Sequence, residues 1–83
     1  MSANGKMTGT VKFFIQLKGY GFIGRAAERD VFVHVKDLPG GVQTLPPETR
    51  VAFRIEDRPQ GPRAREVEIL SYPPGYTPSA PMY

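Results

Sequence analysis

The stretch that decides the fold is Lys18-Gly19-Tyr20-Gly21-Phe22-Ile23, together with the shorter segment Val31-Phe32-Val33-His34-Val35. In each segment, alternate residues carry flat rings. Residues two apart on a β-strand point to the same face of the sheet, so each segment predicts a strand with two rings on one face. Exposed apolar patches usually mark binding surfaces. Rings flanked by lysines suit the bases and phosphates of single-stranded nucleic acid.

The size and composition of the chain restrict the classes of protein that it can represent. Its 83 residues are enough for one small domain. The absence of cysteine excludes disulfides, thiolate metal sites and cysteine nucleophiles, and it fits a cytoplasmic protein. We expect no membrane partner, because no stretch approaches about 20 apolar residues and the amino terminus has no hydrophobic run of a secretory signal. The formal charge of +3 is weak evidence for a polyanionic partner by itself.

The chain divides into three parts. Residues 1–6 are small and polar, and we expect them to be flexible. Residues 7–70 contain all the segments with a β-strand pattern. Residues 71–83 contain four prolines and no charged side chain, which predicts a disordered or polyproline-like tail. The tyrosines of this tail could add stacking surfaces or recruit a partner, but we expect the tail to do neither and to stay disordered.

The middle part predicts five strands in an all-β fold. Their expected ranges are 8–15, 19–24, 30–35, 50–56 and 63–70. No helical period extends far enough to predict a helix, although one helical turn fits residues 36–38. Closing five short strands into a small barrel removes exposed edges and gives one core. The side chains expected inside the barrel are Val11, Ile23, Val31, Val33, Val51, Phe53, Ile55, Val67 and Ile69, and Ala52 is expected outside.

The order of the motifs resembles the cold-shock domain, a five-stranded antiparallel barrel of the OB-fold group. The resemblance covers residues 7–70. It includes Gly9-Thr10-Val11-Lys12-Phe13-Phe14 in the first strand and the first ring-bearing segment, which is similar to the first ribonucleoprotein motif. Asp30-Val31-Phe32-Val33-His34 is similar to the second such motif, and Gly61-Pro62-Arg63-Ala64 followed by Val67 is similar to the end of the family pattern.

The resemblance implies binding of single-stranded RNA or DNA with little sequence preference, and a role as an RNA chaperone or cold-shock-type regulator. By position, it places the binding face at Lys12, Phe13, Lys18, Tyr20, Phe22, Phe32 and His34. We add Lys36 as a backbone-attracting cation. We also add Arg63, because it follows the Gly-Pro turn, although the arginines of this region could equally form a solvated face. No cofactor, metal or small-molecule substrate is expected, and we expect a monomer, with a strand-exchanged dimer as the alternative.

Four positions depart from the family pattern. The family usually has tryptophan where this chain has Phe13, asparagine at Ile15, and phenylalanine at Val35 and Val42. Base–aromatic stacking contributes about 1–3 kcal/mol per base, so the loss of two rings predicts weaker binding by roughly 10²-fold or more unless phosphate contacts compensate. For the first strand, Phe14 is the alternative to Phe13 as the ring that faces solvent.

Other functions remain as alternatives with less support. A protein-interaction module could use Val35, Val42 and the proline-rich tail, since small barrels carry many functions. Gly19, Gly21 and Gly24 satisfy the glycine spacing of a dinucleotide-binding loop, but no helix follows them, so we reject that interpretation. One histidine without a nucleophile or paired carboxylates gives no support for an enzyme.

Overall fold

The structure, a computed structural model, describes residues 5–76. This part of the chain contains five strands and one short 3₁₀ helix, joined by turns and loops. The elements are β1 (Met7–Ile15), β2 (Tyr20–Arg25), β3 (Glu28–His34), the 3₁₀ helix (Val35–Asp37), β4 (Arg50–Arg58) and β5 (Gly61–Ser71). The strands close into a barrel in the order β1-β2-β3-β5-β4. The predicted all-β, five-stranded barrel is therefore confirmed. Its closing contact between β3 and β5 is parallel, at Phe32 and Arg63, whereas the other neighbouring strands are antiparallel.

β1 pairs with two neighbouring strands. Its first half pairs with β4 and its second half pairs with β2, and Thr10 has a partner on both sides. Next to it, the Val11 amide donates to the Thr49 carbonyl at 2.8 Å, and the Val11 carbonyl accepts from the Glu48 amide at 2.8 Å. These bonds connect the middle of β1 to the loop before β4.

A β-bulge in β1 decides which side chains of that strand face solvent. The pairing with β2 shifts between Val11 and Phe13. Val11 is buried, and both Lys12 and Phe13 are exposed. Strict alternation would send Phe13 to the side of Val11, but the extra residue of a bulge resets the alternation. Phe14 is the ring that packs against the core. Because of the bulge, Phe13 faces outward and Phe14 does not.

The core is aliphatic except for one ring. Phe53 and Ile23 are its largest fully buried side chains. Fully burying a side chain of this kind contributes about 1.5–3 kcal/mol relative to leaving it exposed. Of the nine side chains expected inside, seven are buried, whereas Ile55 and Ile69 are half-buried against the core.

The long connection between β3 and β4 supplies core residues that the strand pattern missed. Leu38 and Leu45 come from this connection and are buried, as is Ala64 in β5. Ala52 was expected to face outward. It is buried but absent from the core cluster, to which its neighbours on both sides belong, so the alternation of β4 holds here. The register shift of β4 against β5 at this point comes from an extra residue in β5.

Gly21 faces the barrel interior, where there is no space for a side chain. A Cβ atom there would lie 2.7 Å from the Cα of Phe14 and would also collide with the Phe13 carbonyl. Gly21 is therefore needed so that β1 and β2 can approach each other.

Within residues 5–76, no helix has the length and hydropathy required to cross a bilayer.

Candidate functional site

Four aromatic rings lie together on the outer face of β1, β2 and β3. The ring centroids of Phe13 and Phe22 are 5.7 Å apart, those of Phe22 and Phe32 are 5.8 Å apart, and those of Tyr20 and Phe32 are 5.7 Å apart. Tyr20 also meets Phe22 edge-on at 6.5 Å. None of these four residues, which we call the ring cluster, belongs to the hydrophobic core. They are half-buried by one another, except Phe13, which is 42% exposed.

Strand pairing explains why the rings meet. Phe13 of β1, Phe22 of β2 and Phe32 of β3 are cross-strand partners in one row, and Arg63 of β5 is the partner of Phe32 at the end of that row. Aromatic side chains that face each other across strands stabilise the sheet by roughly 0.2–1 kcal/mol per pair. A ring face or edge that already contacts another ring is not available to a ligand. Only the remaining faces and edges of the four rings can contact a base.

A second row, parallel to the first, contains Ile15, Tyr20 and His34. His34 ends β3 and caps the 3₁₀ helix, because its Nδ1 accepts a hydrogen bond from the Lys36 amide at 3.1 Å. Since Nδ1 accepts, the proton of the neutral ring lies on Nε2. The imidazole is therefore held in one orientation beside Tyr20, with a donor left for a ligand.

The four predicted cations differ in whether they already form an ion pair with a carboxylate. Lys18, in the turn before β2, and Lys36, in the 3₁₀ helix, are exposed and make no ion pair within residues 5–76. The Lys12 ammonium lies 3.1 Å from Asp30 Oδ2. Exposed pairs of this type contribute little to stability, so a phosphate can compete for Lys12.

Arg63 is held more firmly than the sequence suggested. Its Nε and Nη2 donate to Asp37 Oδ2 at 3.1 and 3.0 Å, and Arg65 Nε lies 3.0 Å from the other carboxylate oxygen. The Asp37 side chain is only 7% exposed. Arg63 thus lies at the end of the ring row, but its guanidinium is already paired with a carboxylate that it shares with Arg65. No local pattern predicts this pair, which joins residues 26 positions apart.

The same network continues onto β4. Glu56 accepts from Arg58 Nη2 and from Arg65 Nη1, both at 2.9 Å. These hydrogen bonds, that of Arg58 first, lower the pKa of Glu56 below its ordinary value of 4.5. The hydrogen bond with Glu56, followed by the charge of Asp37, raises the pKa of Arg65. The arginines of this region therefore form mainly structural ion pairs.

A cleft of about 210 Å³ adjoins the ring cluster beyond Phe32. Arg58, Gln60, Gly61 and Arg63 complete its lining. It offers an amide and guanidinium donors beside an aromatic edge. Arg58 was one of the arginines that could extend a phosphate track, whereas Gln60 was not expected at this surface. Arg58 ends β4 and Gln60 lies in the turn after it, so both reach Phe32 only when the barrel closes.

The valines expected to form the alternative protein-interaction surface are less exposed than such a surface requires. Val35 and Val42 are half-buried and pack against the core, so they offer little exposed surface to a partner. Ile15 is 37% exposed beside Tyr20, and it extends the apolar surface without adding a ring.

Within residues 5–76, no group of histidine, cysteine and acidic residues could hold a metal ion.

Comparisons with known proteins give one consistent result. Residues 7–70 match the family model described as the 'Cold-shock' DNA-binding domain. The chain is 45% identical over 67 residues to a "Cold shock-like protein CspA" of Vibrio cholerae, covering 78% of this chain and 96% of that protein. It is 45% identical over 64 residues to a "Cold shock-like protein" of Aquifex aeolicus, covering 75% and 91%. It is 44% identical over 62 residues to a "Major cold shock protein CspA" of Bacillus cereus, covering 74% and 92%.

Proposed function

This chain belongs to the cold-shock domain family, and we propose that it binds single-stranded RNA or DNA with little sequence preference. In this proposal, unpaired bases stack on the ring cluster while Lys18 and Lys36 attract the phosphates. The protein acts as a cytoplasmic monomer and needs no cofactor. Because every base has a π-face, stacking on rings does not select a sequence.

The observation that carries the proposal is the ring cluster itself. Four rings in contact on a solvent-facing sheet present a continuous aromatic surface, with centroid distances between 5.7 and 6.5 Å. Exposed lysines stand beside the end of this surface that is formed by Tyr20 and His34. Such a combination of a stacking surface and cations is the usual arrangement in proteins that bind single strands.

The strength of binding depends on how many bases find a ring. Each stacked base contributes about 1–3 kcal/mol. At positions 35 and 42 this chain has valines that pack against the core, so no ring extends the cluster there. Lys18 and Lys36 add affinity through phosphates, and that part of the binding weakens as salt is raised.

The RNA chaperone role follows from the same surface. A protein that holds unpaired bases against its rings stabilises the open form of an RNA hairpin relative to the closed form. The protein should therefore lower the melting temperature of a weak hairpin labelled with a fluorophore and a quencher. If the melting temperature stays constant at saturating protein, the chaperone role is wrong even when single strands bind.

Fluorescence anisotropy with labelled oligo-dT and oligo-U tests the binding itself. We expect saturable binding to both at low salt, weaker binding at higher salt, and much weaker binding to a duplex of the same length. The absence of detectable binding to either oligonucleotide at low salt would rule out the proposed function.

A further inference from the structure

We propose that Tyr72 and Tyr76 form a second stacking platform, which extends the path of the same bound single strand beyond the ring cluster. Their ring centroids are 5.0 Å apart with an interplanar angle of 34°. Tyr76 is 39% exposed and Tyr72 is half-buried. Both lie after the last residue matched by the family model, residue 70. This inference rests on the proposed function, because it concerns the same ligand.

A tight turn explains why the two rings meet. The Tyr76 amide donates to the Pro73 carbonyl at 3.1 Å, and between them lie Pro74 and Gly75. Gly75 has φ +83°. Proline followed by glycine with positive φ is the sequence preference of a type II turn, in which the third residue needs a conformation that glycine adopts without strain. The turn reverses the chain, so that the ring of Tyr76 returns to that of Tyr72. The platform is thus organised by the backbone before any ligand arrives.

Strand pairing connects this platform to the ring cluster. Gly24 of β2, Thr10 of β1, Arg50 of β4 and Ser71 of β5 are successive cross-strand partners in one row around the barrel. Gly24 comes two residues after Phe22, and Ser71 directly precedes the first tyrosine of the platform. Three strand spacings, about 14 Å measured along the sheet, separate the two ends of the row.

Charge along this row favours a polyanion. Arg50 is exposed and makes no ion pair within the part of the chain that the structure describes. The Lys12 side chain runs across Gly24 at the other end of the row, and a phosphate can compete with Asp30 for its ammonium. Residues 71–83 carry no acidic side chain that would repel phosphates. A strand leaving Phe22 can therefore place phosphates near Lys12 and Arg50, and a base on the tyrosine platform.

The experiment compares the full-length chain with Tyr72→Ala/Tyr76→Ala on a series of oligo-dT lengths from about 4 to 16 nucleotides, the range of site sizes for OB folds. We expect equal affinity for the shortest oligonucleotides that bind. The affinity of the unaltered chain should continue to rise with length after that of the double variant has levelled off. On the longest oligonucleotides the double variant should bind at least about 5-fold more weakly, the smallest effect expected for one lost stacking contact.

Two further variants separate the rings from the turn. Tyr72→Phe/Tyr76→Phe keeps both rings and should bind like the unaltered chain at every length. Gly75→Ala keeps both tyrosines but strains the turn, because an alanine at φ +83° is unfavourable. It should therefore show a smaller loss than the double alanine variant, again confined to long oligonucleotides. Because residues 72–76 follow the last strand, all of these variants should keep the thermal stability of the barrel.

Each outcome decides the inference. Identical affinities of the double alanine variant and the unaltered chain at every length would overturn the second platform and leave the ring cluster as the whole site. An equal loss at all lengths would also overturn it, because the tyrosines would then act on the primary site. A lack of binding by the unaltered chain at every length would instead overturn the proposed function, and the inference with it.

Discussion

Replacing Phe22 by alanine removes the ring with the most aromatic neighbours. Its centroid lies 5.7 Å from that of Phe13, 5.8 Å from that of Phe32 and 6.5 Å from that of Tyr20. Its loss removes one base platform and also the neighbour that fixes the orientation of the rings on both sides. We therefore expect a larger effect on binding from this position than from any other single ring of the cluster.

The magnitude follows from two separate contributions. One lost stacking contact weakens binding by about 1–3 kcal/mol, which corresponds to about 5- to 150-fold in Kd. The fold also loses the cross-strand pairs of Phe22 with Phe13 and Phe32, which contribute roughly 0.2–1 kcal/mol each. Since Phe22 is only half-buried, the cost in stability should remain below the roughly 3–5 kcal/mol typical of a fully buried phenylalanine changed to alanine.

The assay is anisotropy with labelled oligo-dT, paired with thermal unfolding followed by circular dichroism. Phe22→Leu is the decisive second variant, because leucine retains much of the apolar packing but has no aromatic face. Met7→Ala is the matched control, since it removes an exposed apolar side chain from β1 outside the ring cluster. A folded Phe22→Leu protein that binds as tightly as the unaltered chain would refute base stacking at this position.

Three more predictions concern the cations, the strand packing and the pH dependence of stability. Lys18→Ala should reduce the slope of log K against log salt by about 0.7, the value for one phosphate contact on a single strand. Lys12→Ala should reduce it less, because that ammonium is already 3.1 Å from a carboxylate, and equal slopes for the two variants would contradict this. In urea unfolding, Gly21→Ala should cost about 3 kcal/mol or more, since its Cβ would collide with the β1 backbone. Gly24→Ala, which meets only a flexible lysine side chain, is the matched control and should be mild. Because two arginines lower the pKa of Glu56 from 4.5, its stabilising effect is present above that pH and is lost as pH falls through the lowered pKa. The free energy of unfolding of Glu56→Gln should therefore lie below that of the unaltered chain near neutral pH and converge with it in acid, and a constant difference would show that this carboxylate is not the cause.

The ring-bearing strands were predictable because their signal is local. The two-residue period of a strand is a property of the backbone, so Tyr20 and Phe22 had to share a face wherever that strand was placed. The same period, with β-branched residues, predicted most of the core and the five-stranded barrel. The division of the chain into a flexible start, a domain and a tail stays a prediction, since residues 1–4 and 77–83 lie outside the described range.

Tertiary structure decided what depends on partners distant in the sequence. The bulge that turns Phe13 outward arises where β1 changes partners from β4 to β2, and no local period reveals it. The reason for Gly21 is the closeness of β1, which composition cannot show. The capture of Arg63 by Asp37 exists only because barrel closure brings β5 against the 3₁₀ helix. Periodicity fixes which side chains share a strand face, whereas the contacts between strands determine which of those side chains remain available to a ligand.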